Sequence, residues 1–130
     1  MSSVRSVVLV DAVRTPFGKA GSMYAGTRAD DLMVRAMRGL LERNPKVDPA
    51  SIDDVAIAAA TQTGDQGMNI GRSATLLAGL PKTVPGYSID RWCAGALTAT
   101  TTVAGAIAMG AIDIAIAGGV EHMGNHPMGE

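Results

Sequence analysis

Residues 86–119 read GYSIDRWCAGALTATTTVAGAIAMGAIDIAIAGG, and the changes of pattern along them decide the fold. Gly86 to Asp90 is a short strand-like run. Ala94 to Met109 is uncharged and long enough for several helical turns, and Ile112 to Ala117 is a second apolar run ending at Gly118-Gly119. Strand, helix and strand at this spacing make a βαβ unit, whose strands run parallel. The same alternation appears upstream. Val55 to Ala60 reads as a strand buried on both faces. The polar stretch Thr61 to Asn69 follows, then a helix carrying Ile70, Ala74, Leu77 and Ala78, capped by Asn69 and closed by Gly79-Leu80-Pro81. An earlier helix carries Leu32, Met33, Ala36, Met37, Leu40 and Leu41 on one face, with Thr27 or Asp30 as its cap and Asn44-Pro45 as its stop. Val4 to Val13 reads as a buried strand that ends in the turn Arg14 to Lys19. The expected class is α/β, with a mixed, mostly parallel sheet flanked by helices.

Composition fits that class and removes others. The chain has 130 residues, 47% of them hydrophobic and 18% charged, enough for one domain with a real core. Aromatic residues make up only 3% while the chain holds 16 glycines, so the core must be assembled from small and aliphatic side chains in close approach. A net charge of −1 gives no footprint for nucleic acid. From Cys93 to Ile112 there is no charge, but these residues are mostly Ala, Thr and Gly, which insert weakly, and Asp113 follows. No membrane partner is expected. A single cysteine rules out an internal disulfide and fits a reducing compartment, so the expected location is the cytoplasm.

That cysteine, Cys93, stands where a strand gives way to a helix. The free N–H groups at a helix start favour an anion and so favour a nucleophilic thiolate. The helix that follows is nearly all small residues, from Ala94 to Ala106. Such a helix is either buried on all sides or crossed closely by another chain. The alternative for Cys93 is a small apolar filler in the core.

Two other constellations carry less. Thr61 to Arg72 is glycine-rich but lacks the glycine spacing of a dinucleotide loop and the Gly-Lys-Ser/Thr ending of a phosphate loop. His122 and His126 are four apart beside Glu121, but Pro127 interrupts a helix there and no further ligand is evident. They read as polar loop residues, and no metal is expected.

Taken together, five blocks resemble the thiolase family of acyl-CoA C-acyltransferases, specifically its N-terminal region. They are Arg14 to Lys19, Gln62 to Arg72, Ala78 to Pro81, Cys93-Ala94-Gly95-Ala96-Leu97-Thr98-Ala99, which is similar to the family's Cys-x-Ser-Gly-Leu-x-Ala, and Gly118 to Met123. Gly95 and Ala96 depart from the Ser and Gly usual there. The resemblance implies the N-terminal part of a thiolase-like fold, with residues 1–120 as its first, incomplete domain and 121–130 as the start of a loop region. It implies that Cys93 is the covalent nucleophile and that the backbone N–H of Cys93 helps form an oxyanion hole. The reaction would cleave a 3-ketoacyl-CoA with CoA, or condense two acyl-CoA units, as in fatty acid metabolism. Acyl-CoA and CoA would be substrates with no cofactor besides, and the whole protein a homodimer or tetramer. The family's catalytic His, second Cys and Asn-His segment match no position here, so His122 and His126 take no catalytic role and the 130 residues alone should be inactive. A ketoacyl synthase-like condensing enzyme and a non-catalytic subunit are the competing assignments.

Overall fold

The computed structural model describes residues 3–129 of the chain. Three strands, β1 (Asp54–Ala58), β2 (Tyr87–Ile89) and β3 (Ala115–Gly119), form an all-parallel sheet in the order β2-β1-β3. Helices α1 (Ala29–Arg43), α2 (Ile70–Ala78) and α3 (Gly95–Ala108) supply the layers. The α/β class stands, and β1 is the centre of the sheet.

The side-chain alternation of β1 assigns the two faces. Val55 and Ile57 are fully buried in a cluster with Met33, Met37, Ile70 and Ala74, which belong to α1 and α2. Ala56 points the other way, into a cluster with Ala99 and Val103 of α3. Large side chains of the strand fill the first interface, whereas β1 presents an alanine to the second. A fully buried side chain such as Ile57 or Met37 contributes about 1.5–3 kcal/mol.

Local signals behave as their chemistry demands. Asn69 takes a left-handed conformation and its side chain accepts from Arg72 N–H, while Gly79, also left-handed, closes α2. Asp48 caps the 3₁₀ turn Pro49–Ser51. Helix α1 differs from expectation. Its N-cap is Arg28, with no side-chain cap of its own, and Asp65 from a distant loop accepts the Ala29 N–H. Asp30 is drawn instead into a bidentate pair with Arg28. Strand β3 starts three residues later than the apolar run and continues through Gly118 and Gly119.

The largest correction concerns Val4 to Val13. It forms no strand, and Val4, Val8, Leu9 and Val10 are about three-quarters exposed. A strand exists only with a hydrogen-bonded neighbour, and no strand of the described residues lies beside this segment. Polar ties hold it instead. Arg5 donates to Ile107 O, Ile112 O and Asp113 at the end of α3. Asp11 accepts from Arg43 and Asn44, and the Asn44 amide in particular holds its carboxyl below the usual range. A groove of about 580 Å³ separates the segment from the outer edge of β3. Its walls include Leu9, Val13, Ile116 and Gly118, and its floor includes Met33 and Met37 of α1. Among the described residues no helix is long and apolar enough to cross a membrane.

Helix α2 crosses β2 backbone to backbone. A Cβ on Gly71 would lie 2.0 Å from the Tyr87 carbonyl oxygen, and Gly71 N–H donates to Ser88 Oγ at 3.2 Å. Neither backbone can yield without breaking the sheet. Gly71→Ala should therefore cost about 3 kcal/mol, read as a lowered midpoint in urea unfolding. A variant within about 0.5 kcal/mol of the parent would contradict this packing.

Candidate active site

In a parallel sheet with helical crossovers, chemistry gathers beyond the carboxyl ends of the strands. Here those ends are Ala58, Ile89 and Gly119, and the loops that leave them carry the residues of interest. Cys93 follows β2 directly. It lies in a 3₁₀ turn, Trp92–Ala94, that runs into α3, and it is exposed. A thiol that only fills core space would be enclosed, and within this chain Cys93 is not. Within this chain α3 is not buried all round. Only Gly95, Ala99 and Val103 are buried along it, while Leu97 is 69% exposed.

The first turn of α3 rests on the ends of the other two strands. A Cβ at Gly95 would meet the Ala58 methyl at 2.7 Å. A Cβ at Gly119 would meet the Ala96 methyl and the Ala58 carbonyl, each at 3.1 Å. Of the two departures from the family signature, the one at position 95 thus has a steric meaning. The room that a serine would need at position 95 is filled by Ala58 from β1. The turn is built with the N–H groups of Trp92, Ala94 and Gly95, donated to Asp90 Oδ1, Arg91 O and Trp92 O. None of these bonds uses the Cys93 N–H.

The segment Asn69 to Arg72 supports the strand that leads to the cysteine. Asn69 Nδ2 donates to Gly86 O at 3.2 Å, Ser88 Oγ donates to Asn69 Oδ1 at 3.3 Å, and Arg72 donates to Val84 O and Lys82 O. Nothing in this glycine-rich turn is arranged around a phosphate. Its polar atoms are spent on β2 and the loop that leads into it.

A second polar group, which the sequence did not disclose, joins the loops after β1 and β3. Gln66 is fully buried. Its amide donates to Thr61 O at 2.9 Å and Glu121 Oε2 at 3.1 Å, and its Oε1 accepts from His122 N–H. Glu121 also accepts from Ala60 N–H. His122 is buried with Nε2 at 2.8 Å from Tyr24 O, and His126 pairs with Asp65. Burial pushes the Asp65 carboxyl up, but the bonds from His126 and Ala29 N–H outweigh it and hold it below its usual range. Both histidines are engaged in tying loops together. Among the described residues no three His, Cys, Asp or Glu are grouped to hold a metal. A spacing argument could not have found Gln66, because its partners lie five and fifty-five residues away.

The arrangement is an exposed thiol on a tight strand-to-helix turn, at the carboxyl edge of a parallel α/β sheet. Comparison gives the family. Residues 7–130 match the model of the thiolase N-terminal domain, and the chain belongs to the thiolase family. It is 47% identical over 126 residues to a 3-ketoacyl-CoA thiolase of Aliivibrio salmonicida, covering 96% of this chain and 33% of the relative. A β-ketoadipyl-CoA thiolase of Pseudomonas aeruginosa is 46% identical over 123 residues, covering 95% of this chain and 31% of the relative. The crystal structure of the Bacillus anthracis acetyl-CoA acetyltransferase superposes with a TM-score of 0.90 at 33% identity, over 98% of this chain and 32% of that one. The chain spans about a third of the length of these relatives.

The Ala58–Gly95 contact makes a reciprocal prediction. Gly95→Ser, which restores the usual family residue, should destabilise the chain by about 2 kcal/mol. Adding Ala58→Gly should return at least about half of that, read in a double-mutant cycle of urea midpoints. Strict additivity of the two changes would show that the methyl and the serine do not compete.

Proposed function

We propose that Cys93 is the acyl-carrying nucleophile of a thiolase. The observation that carries this reading is the placement of an exposed thiol at the head of α3, with its own backbone N–H uncommitted to the turn. The Cys93 thiolate attacks the 3-keto carbon of a 3-ketoacyl-CoA. The oxyanion that forms is met by the Cys93 N–H, one of the donors such a site requires. Collapse breaks the bond between C2 and C3, and the two-carbon fragment leaves as acetyl-CoA after taking up a proton. The shortened acyl group stays on sulfur as a thioester until the thiol of a second CoA accepts it. In reverse, the same steps condense two acyl-CoA units. The names of the relatives support a 3-ketoacyl-CoA substrate.

Every group made or broken here is a thioester or a carbon–carbon bond beside a ketone, so the chemistry requires no cofactor besides the CoA substrates. Residues 1–120 act as the nucleophile-bearing first part of the catalytic domain, and 121–130 lead into the loop region. The protein works in the cytoplasm as a homodimer or tetramer. The 130 residues alone hold a nucleophile without the general acid that protonates the leaving fragment. Each such missing partner costs on the order of a hundredfold or more in rate, which leaves the piece inactive by itself.

The test uses a chain of full family length that carries these residues. Cys93→Ser should lower CoA-dependent cleavage of acetoacetyl-CoA by at least about a thousandfold with the fold intact. A loss below about tenfold would overturn the assignment of Cys93.

A further inference from the structure

The turn that delivers Cys93 is fastened at both ends and strained in the middle. On the strand side, Ile89 O accepts from Ala59 N–H at 3.2 Å. On the helix side, Ala94 N–H donates to Arg91 O at 3.0 Å and Arg91 Nη1 to Thr98 Oγ1 at 3.4 Å. Between them Trp92 has φ +47°, a left-handed conformation that a bulky L-residue adopts only under constraint. Packing does not supply the constraint, because Trp92 is 81% exposed. A hydrogen bond does. Asp90 Oδ1 accepts from Trp92 N–H at 2.8 Å, closing an Asx turn over the strained residue.

We propose that Asp90 is a positioning residue for Cys93: its side-chain oxygen holds Trp92 in the left-handed turn that sets the thiol at the head of α3. Asp90 acts through Trp92. The role needs an acceptor at Oδ1 and no charge, so asparagine should serve as well and alanine should not. A residue that reaches the left-handed region freely should need neither. Released from the turn, the thiol loses its fixed place at the head of α3. The benefit to catalysis rests on the acyl-cysteine reading above, whereas the turn geometry does not.

Two readouts on the folded 130-residue chain test this. One is the rate of Cys93 alkylation by iodoacetamide, followed by intact mass. The other is the near-UV circular dichroism of Trp92, the single tryptophan of the chain. Asp90→Ala should slow alkylation about fivefold and weaken the tryptophan signal, with the unfolding midpoint little changed. Asp90→Asn should restore both to within about twofold of the parent. Beside Trp92→Gly, Asp90→Ala should cost less than about twofold, because glycine takes positive φ without support. Three results would each overturn the proposal: no effect of Asp90→Ala, an Asp90→Asn variant as slow as Asp90→Ala, or an undiminished cost beside Trp92→Gly. If Asp90→Ala alone does not fold, Asp90→Asn and the double variant decide by the same criteria. Iodoacetamide needs no acyl-CoA. A protein that shows this pattern yet never acylates Cys93 would lose the thiolase chemistry and keep the role of Asp90.

Discussion

Backbone proximity at the carboxyl edge of the sheet governs the rest of this structure. Helix α2 meets β2 at Gly71, the head of α3 meets β1 at Gly95, and the end of β3 meets both at Gly119. At Gly71 and Gly95 a side chain is excluded by a neighbouring backbone or methyl, and at Gly119 it would be crowded. The consequence is mechanical. The strand that leads to Cys93 is held by α2 behind it, and the helix that follows Cys93 is held by β1 beneath it. The thiol therefore sits on a short turn between two immobile supports, and the scarcity of aromatic residues follows from the same need for close approach.

The polar residues near this edge serve the same end by another means. Gln66 satisfies its amide within the protein and in doing so joins the loops after β1 and β3. A buried amide with unfilled hydrogen bonds is costly, so the pairing is specific as well as stabilising. Asp65 reaches from the same loop to the start of α1 and to His126. These bonds tie the two short loops to one another and to the start of α1 at the carboxyl edge.

Much of this could be read in the chain, and the failures have physical causes. The elements β1 and α2 were legible because apolar period and caps agree, with Asn69 opening and Gly79 closing α2. Cys93 was legible because a strand, a thiol and a run of small residues stand together. Val4 to Val13 was misread because hydrophobicity reports a need for burial and not the presence of a neighbour. The exposure of Leu97 on α3 escaped for the same reason. The Asp65 cap on α1 and the Gln66 bridge escaped because both are long-range bonds between loops, where no periodicity exists. The strain at Trp92 was invisible because tryptophan is not a residue that signals positive φ.

The most direct test of the central claim is to trap the acyl group. A chain of full family length carrying these residues would be mixed briefly with acetoacetyl-CoA, quenched in acid, and mapped by peptide mass. Cys93 as nucleophile predicts an acetyl thioester on the peptide containing Cys93, discharged when free CoA is added before the quench. Turnover with the acetyl group on another residue, or with no covalent acyl group on any peptide, would contradict it.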